Sequence, residues 1–411
     1  MPTLRDYQVD AVAALKKCSR GIIKSPAGSG KTWIGAAALQ WFAEKYSDGA
    51  EIRATWIGNT LEQVEQAKAA CAMFPQKNLV VDFVCYAGAP CLATRSNPPH
   101  IVIADEGHHV AAETFRRIFE GFKGWRWGLS ATPERADELK ADVFDIIGPI
   151  VYEVKREILI AAGQLCQGKV TFIQVNELDE FEDQVSGIAD KIIGERKRKW
   201  PMLFSNPAQA NEQIRRCTWQ AVQQEALFNN PKRDAAIIWA ALRHSDEEST
   251  LVIVASVEHG ERLLKFLPKA EIVYSKLGKK KRAEVMARFK SGETKILLAT
   301  SLADEGLDVP RASVLVLAAA GKSSAKAEQR TGRVLRTFEE KTHGKIYDLN
   351  DQQHGYLRSQ TMKRLKAYES LGYTILVELK EISEELLNEI KEAVSNTSTT
   401  KISLKTKKIY A

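Results

Sequence analysis

The chain has 411 residues, of which 44% are hydrophobic and 27% are charged, and its formal net charge is +7. This length exceeds one ordinary hydrophobic core, so two domains are expected, and the composition is that of a globular protein. No apolar run is long enough to span a bilayer, and the first residues, MPTLRDYQVD, lack the features of a signal peptide. The sequence therefore predicts a cytoplasmic protein with no membrane partner.

The charge and the cysteines exclude some kinds of site. A net charge of +7 is weak support for a polyanionic partner, since many proteins are this basic. No two cysteines form a CxxC pair, which argues against a zinc site and against a disulfide framework. The six cysteines are scattered along the chain: Cys18, Cys71, Cys85, Cys91, Cys166 and Cys217.

The first half of the chain alternates short apolar runs with segments of helical period. The runs GIIKS, ATWIG, VVDFVCY and HIVIADE predict four strands. After Lys31, the spacing places Ile34, Ala38, Trp41 and Phe42 on one face of a helix. Alternation of this kind is typical of parallel sheets covered by helices.

A second alternating block follows, with the runs TLVIVAS, AEIVYS, TKILLAT, ASVLVLA and GKIYDLN as its predicted strands. The expected fold is therefore α/β, with two tandem parallel-sheet lobes. We place the first lobe at residues 1–154 and the second at 155–351, with a mostly helical insertion at about 179–243. Residues 352–411 are predicted to form a helical extension and a flexible, lysine-rich tail.

The stretch SPAGSGKT, Ser25 to Thr32, lies between a predicted strand and a predicted helix. Its glycines allow the backbone N–H groups to face phosphate oxygens, and the helix N-terminus adds partial positive charge. In such a loop Lys31 reaches the β and γ oxygens and Thr32 holds Mg²⁺. The strict pattern has glycine at position 25, where this chain has serine.

The strand HIVIADE ends in two acids, Asp105 and Glu106, about 75 residues after the loop lysine. In a nucleotide hydrolase the first acid orients Mg²⁺ and the second polarises the attacking water. A zinc site is the alternative interpretation, because His108 and His109 follow closely. Zinc needs three or four convergent ligands, and these histidines do not match the spacing of a zinc helix.

Hydrolysis of a nucleoside triphosphate also needs cations at the transition state. The stretch QRTGRVLR places Arg333 and Arg336 on one side of a helix. An arginine-rich helix alone is most often a solvated surface. Its position after the strand ASVLVLA, in the second α/β block, favours a role in catalysis.

The ordered motifs resemble those of superfamily 2 helicases of the DExH type. LRDYQ is similar to the Q-motif, SPAGSGKT to motif I, DEGH to motif II and SATP to motif III. VIVAS is similar to motif IV, TSLADEGLDVP to motif V and QRTGRVLR to motif VI, so the resemblance runs from Leu4 to Asp351. GNTLEQVEQ matches motif Ia poorly, and DEGH stands where many relatives have DEAH.

The resemblance implies two RecA-like lobes that use ATP and Mg²⁺ and bind nucleic acid. It implies catalytic roles for the acids, the loop lysine and the two motif VI arginines. It adds three groups of residues: Arg5, Gln8, Gly28, Ser29, Gly30, Gly306, Asp308 and Gln329 for binding the nucleotide; Thr32 and Asp105 for Mg²⁺; and His108, Ser130 and Thr132 for coupling hydrolysis to strand contact.

Within the superfamily, GLSATPERADELK and GRVLRTFEEKTHGKIYDLND look most like the DNA motors. These include phage recombination helicases, restriction-enzyme motors and the repair helicase of the xeroderma pigmentosum type. The implied function is an ATP-dependent DNA helicase or translocase, acting on branched or unbranched DNA in recombination, repair or replication. An RNA helicase stays open, as does an ATP-driven remodeller or motor subunit of a restriction or defence complex that does not unwind.

One further stretch, GERKRKW at residues 194–200, places a basic run before Trp200. Such a run can hold phosphates while the ring stacks on a base. An exposed helix face that ends at a turn is the other interpretation, and both stay open at this point.

Overall fold

The structure is a computed structural model, and it describes residues 2–133, 140–174, 180–300, 309–319, 330–332, 334–338, 341, 343–379, 388–389 and 392. The chain divides into two compact units. The first contains the residues up to Gln167 and, from further along the chain, the described residues between 330 and 341. The second contains the rest of the described chain from Gly168 onwards.

The first unit is built on a parallel sheet. Its strands are β1 (Arg20–Lys24), β2 (Ile52–Gly58), β3 (Leu79–Cys85), β4 (Ile101–Asp105), β5 (Trp125–Ser130) and β6 (Ile150–Glu153). They lie in the order β3-β2-β4-β5-β1-β6, and every neighbouring pair is parallel. The central strand β4 is buried along its length and β5 over its last four residues, as expected when helices cover both faces.

The helices of the first unit connect these strands. They are α1 (Asp6–Leu15), α2 (Lys31–Tyr46), α3 (Leu61–Ala72), α4 (Glu113–Arg116), α5 (Lys140–Ile146) and α6 (Arg156–Ala161). The start of α3 is fixed by Thr60, whose hydroxyl accepts a hydrogen bond from Gln63 N at 3.2 Å. The core against α2 includes Trp56 and Trp127, both fully buried, and the indole of Trp127 donates to Cys18 O at 3.0 Å.

The second unit is built on a sheet of seven described strands. They are β7 (Gln167–Gln174), β8 (Ser249–Val254), β9 (Ala270–Val273), β10 (Ile296–Thr300), β11 (Ala312–Leu317), β12 (His343–Asn350) and β13 (Thr374–Leu379). Their order is β13-β7-β12-β11-β8-β10-β9. The pairs β13–β7, β12–β11, β11–β8, β8–β10 and β10–β9 are parallel.

The helices of the second unit fall into two groups. They are α7 (Glu180–Lys199), α8 (Pro207–Val222), α9 (Pro231–Leu242), α10 (Val257–Leu264), α11 (Lys279–Ser291) and α12 (Gly355–Ser370). Helix α9 belongs to the core under the sheet, where it buries Ile237 and Ile238. Helices α7 and α8 instead share a separate small cluster that includes Val185, Val222 and Leu357.

Buried ion pairs join elements of the second unit. The fully buried guanidinium of Arg233 donates to the carboxylate of Asp351, with a shortest N–O distance of 2.8 Å. Asp348, at the end of β12, accepts hydrogen bonds from Arg364 and from the hydroxyl of Tyr368. These contacts fix the carboxyl end of β12 against α9 and α12.

The predicted fold class is confirmed. Every strand predicted from the sequence is present, in β1 to β4 and in β8 to β12. The sequence did not indicate β5, β6, β7 or β13; in β5, Arg126 and Gly128 interrupt the apolar pattern that marks a buried strand. Within the described residues, no helix is long and apolar enough to cross a membrane.

Candidate nucleotide-binding and hydrolysis site

The predicted motifs meet at the carboxyl ends of three neighbouring strands of the first unit. In the sheet, β5 lies between β4 and β1, and Lys24 is in register with Ser130 while Asp105 is in register with Leu129. The loops that follow these strand ends therefore converge. This edge of an open parallel sheet is where such folds bind their ligands.

The loop after β1 has the conformation that phosphate binding needs. Gly28 and Gly30 have φ angles of 89° and 76°, which side chains rarely tolerate, and Gly30 caps α2. The hydroxyls of Ser25 and Ser29 lie 2.5 Å apart, and Ser25 N donates to Ser130 O at 2.9 Å. Serine at position 25 thus takes part in the hydrogen bonds that hold this loop on β5.

Two side chains of α1 hold the same loop from its outer side. The Tyr7 hydroxyl donates to Ser29 O at 2.9 Å, and Gln8 Nε2 lies 3.2 Å from the same oxygen. Gln8 Oε1 accepts from the backbone N–H of Arg5 at 3.0 Å, and the Arg5 side chain is exposed. The sequence predicted Gln8 at this site, but no spacing indicated Tyr7.

Lys31 lies at the first turn of α2 and contacts the acid corner. Its ammonium is 3.8 Å from Glu106 Oε1 and donates to Ser25 O at 3.3 Å. Both charged side chains are largely shielded from solvent, so their attraction is weakly screened. The predicted phosphate-binding lysine and the predicted base are therefore adjacent. Thr32 follows on the same helical turn and is partly buried.

Asp105 ends β4 and is buried. Burial first, and then the neighbouring carboxylate of Glu106, raises the pKa of Asp105 to about 7, while Lys31 opposes the shift. A nearby cation would stabilise the ionised form of a carboxylate in this position. Mg²⁺ is commonly bound through one or two carboxylates, waters and substrate phosphates, and this donor set fits it.

Glu106 has a left-handed backbone, with φ 48° and ψ 50°. This conformation is strained for a residue with a side chain, and strain of this kind clusters at functional sites. Tyr86, which the sequence did not indicate, donates its hydroxyl to Asp105 O at 3.0 Å. Its burial beside the two acids raises its pKa well above the ordinary value, so it stays a neutral donor.

The predicted coupling residues lie next to the acids. His108 Nδ1 is 3.1 Å from Ser130 Oγ and 3.5 Å from Glu106 Oε2. Ser130 Oγ also accepts from Thr132 N at 3.2 Å. One serine hydroxyl thus connects the segment after β4 with the segment after β5. Among the described residues, no group of three or more His, Cys, Asp or Glu side chains is arranged to hold a metal.

A segment from far along the chain packs on the phosphate loop. The loop's Gly28 lies against the Arg336 side chain, where an added Cβ would be 3.3 Å from Arg336 Cγ. Gly332 approaches Ala27 so closely that a Cβ on it would be 2.7 Å from Ala27 Cβ. An antiparallel bridge between Leu165 and Arg336 fixes the segment. Four predicted site residues, Gly306, Asp308, Gln329 and Arg333, lie outside the described residues.

Two family models match this chain. One is described as the type III restriction enzyme, res subunit, and it matches residues 1–82, which contain the phosphate loop. The other is described as the helicase conserved C-terminal domain, and it matches residues 233–338, which extend to the arginine segment.

Curated relatives carry helicase or translocase names. The chain is 26% identical over 361 residues to the DNA 3'-5' translocase XPB2 of Sulfurisphaera tokodaii, covering 81% of this chain and 78% of that protein. It is 24% identical over 353 residues to the DNA 3'-5' helicase XPB of Mycobacterium tuberculosis, covering 81% of this chain and 58% of that protein.

Among solved structures, the ATP-dependent type ISP restriction-modification enzyme LlaBIII bound to DNA superposes with a TM-score of 0.66 at 13% identity. The match covers 98% of this chain and 33% of that one, and it shows a shared fold. The two matched family models and these relatives show that the chain is similar to superfamily 2 helicases, and its two parallel-sheet α/β units match the tandem RecA-like lobes of its structural neighbours.

Proposed function

We propose that this protein is an ATP-driven DNA helicase or translocase that uses the residues at the carboxyl ends of β1, β4 and β5. The observation that carries the proposal is the contact of Lys31 with Glu106 at 3.8 Å, beside a glycine loop with two positive φ angles. The names of the relatives favour DNA over RNA as the track. A cytoplasmic location remains a prediction from the sequence.

Binding of ATP is the first task of the site. The backbone N–H groups from Gly28 to Lys31 receive the phosphates at the N-terminus of α2, and the Lys31 ammonium attracts their charge. Asp105 and Thr32 would hold Mg²⁺, which would neutralise phosphate charge at this site. Arg5 and Gln8 lie at the outer side of the loop, where the resemblance places the base.

Hydrolysis needs a base for the attacking water and cations for the charge that develops. Glu106 accepts the proton of the water, because its carboxylate is largely buried beside Lys31, the residue that attracts the phosphates. The Arg336 side chain, packed over Gly28, supplies positive charge at the γ-phosphate, together with Arg333. The pairing of His108 with Ser130 then transmits the state of the site to the loop after β5.

The test is steady-state ATP hydrolysis without nucleic acid and with single-stranded DNA, duplex DNA, a branched junction or RNA. Lys31→Ala is measured in parallel and is expected to lose about 10²- to 10³-fold in turnover, the cost of removing one stabilising donor. Stimulation by DNA that is greatest on the junction supports the proposal. Stimulation by RNA alone makes the protein an RNA remodeller, and a flat response overturns the motor assignment for the isolated chain.

A second candidate is the motor part of a larger assembly. The favouring observation is that the chain corresponds to only 33% of the type ISP enzyme that it resembles in fold. Strand displacement and translocation assays on the isolated chain distinguish the two. A chain that hydrolyses ATP on DNA but neither unwinds it nor displaces a bound protein fits the second candidate.

A further inference from the structure

The second unit carries a two-helix arm, residues 190–216, formed by the end of α7, a 3₁₀ turn at Pro201–Phe204 and the start of α8. All of these residues are described, and none is buried: the nearest buried side chains are Ala189 on one side and Cys217 on the other. The packing that fixes the arm is at its base, in the cluster with Leu357. Its far end contributes nothing to the core.

The far end of the arm exposes large apolar side chains. Trp200 is 46% exposed, Met202 78% and Leu203 39%. The chain has eight tryptophans, all of them described, and Trp200 is the exposed one. Three large apolar groups at one turn, outside any core, need an explanation other than folding.

Positive charge surrounds this apolar tip. Four consecutive basic residues, 196–199, precede Trp200, and the whole arm from 190 to 216 has seven Lys or Arg residues against three acidic ones. The Lys199 ammonium is 4.7 Å from the centre of the Trp200 ring, and Lys197 is 5.6 Å from that of Phe204. Cations held beside an exposed aromatic ring are the combination that binds a nucleic-acid backbone and stacks on its bases.

We propose that the arm tip binds an exposed base face at a branch point or duplex end of DNA. Trp200 stacks on the base, Met202 and Leu203 cover its edge, and the basic run from Arg196 to Lys199 holds the adjoining phosphates. Inside a duplex every base is stacked on both faces, so the ring finds a free base face only where bases are unpaired, at a junction or at an end. This inference rests on the proposed function, and it adds that the protein prefers DNA with exposed base faces as its substrate.

The experiment compares binding of a forked DNA with binding of a relaxed, covalently closed circular duplex, which has no ends, junctions or unpaired bases, and with binding of one single strand of the fork. Trp200→Ala is expected to weaken fork binding by about 5- to 150-fold, the range measured for one stacked base. Binding to the closed duplex should change less than twofold, and Trp200→Phe should keep most of the fork preference. Met362→Ala, which alters another half-exposed apolar side chain of the same unit, serves as the matched control.

The basic run has its own readout. The double variant Lys197→Ala/Lys199→Ala should lower the slope of log affinity against log salt by roughly 0.7 to 0.9 for each phosphate that the protein no longer neutralises. Thermal unfolding and ATP hydrolysis without DNA should match wild type in every variant, because these side chains are exposed and lie outside the nucleotide site.

Three results overturn the inference: unchanged fork binding by Trp200→Ala, an equal weakening on the closed duplex, or no change in salt dependence for the lysine variant. Vesicles containing phosphatidylserine are tested in the same assay. If Trp200→Ala weakens vesicle binding but not fork binding, the tip is a membrane contact and the inference fails. If wild type shows no stimulation by any DNA, the proposed function fails instead, so the two failures are distinguishable.

Discussion

In the first unit the imidazole of His108 is in hydrogen-bond contact with the hydroxyl of Ser130, with 3.1 Å between His108 Nδ1 and Ser130 Oγ. One residue follows the acid pair and the other ends β5, and we predict that this contact couples hydrolysis to DNA binding. Ser130→Ala should leave ATP hydrolysis without DNA within a few-fold of wild type and abolish most of its stimulation by DNA. Ser370→Ala, which removes a hydroxyl bonded only within α12, should change neither rate. Full stimulation in Ser130→Ala would show that coupling runs elsewhere.

Glu106 is the expected base. Glu106→Gln keeps the shape of the side chain but cannot accept the proton of the attacking water, so hydrolysis should fall by about 10²- to 10⁴-fold. ATP binding should persist, because Lys31 and the glycine loop are unchanged. Filter binding of labelled ATP with single-turnover hydrolysis measures both. Steady hydrolysis by this variant would mean that the water is activated by another group.

Arg336 packs its aliphatic stem over Gly28, which places the guanidinium near the phosphate loop. Arg336→Ala should lower turnover by about 10³- to 10⁵-fold while binding of an ATP analogue stays within a few-fold. Arg336→Lys should also be slow, because an ammonium lacks the planar fork of guanidinium. Arg117→Ala, an exposed arginine of the same unit, is the control. The same assay on Arg333→Ala shows which arginine acts on the phosphate; turnover near wild type rejects that residue.

Gly30 has a φ of 76°, and a Cβ at this position would lie 2.6 Å from Gln8 Nε2. Gly30→Ala should therefore destabilise the protein by about 1–2 kcal/mol through the backbone conformation, with a further cost from the displaced glutamine. In a Gln8→Ser background only the backbone cost should remain. Gly187→Ala, at an open helical position, should raise stability by up to about 1 kcal/mol. Denaturant unfolding is measured for Gly30→Ala, Gln8→Ser, the double variant and Gly187→Ala. An unchanged midpoint for Gly30→Ala would contradict the conformation described.

The fully buried pair of Arg233 and Asp351 should be costly to break by removing one partner. Asp351→Ala leaves the Arg233 guanidinium without its carboxylate at a fully buried position, which typically costs about 3–5 kcal/mol. Glu212→Ala breaks an equally short but exposed pair with Arg216 and should cost less than about 1 kcal/mol. The two free energies of unfolding are compared by denaturant titration. Equal costs would refute the difference that burial predicts.

The sequence predicted the parts of the site that depend on local pattern. A glycine loop between a strand and a helix, and an apolar strand that ends in two acids, are set by neighbouring residues, so Lys31, Asp105 and Glu106 could be predicted as site residues from the sequence. The division at residues 154 and 351, and the role of each motif residue, remain predictions.

Other features depend on contacts between distant parts of the chain, which no local pattern records. Tyr7 donates a hydrogen bond to Ser29 O, 22 residues away in the sequence, and Tyr86 donates one to Asp105 O, 19 residues away. The sequence therefore indicated neither tyrosine. The packing of Arg336 against Gly28 joins residues about 300 positions apart, and only the family resemblance hinted at it. The strand β5 was missed because tertiary burial, rather than alternation, makes it a strand.

The described residues between 330 and 341 belong to the first unit, which has a consequence for how the protein is made. Gly332 lies against Ala27, and Cys166 N donates to Leu335 O at 2.7 Å, so the first unit is closed by residues from late in the chain. During synthesis the ribosome must release most of the second unit before the first can complete its fold. A fragment that ends at Gln167 has the phosphate loop but not the residues that pack on it, and a separately supplied peptide of the later segment is the natural means to restore them.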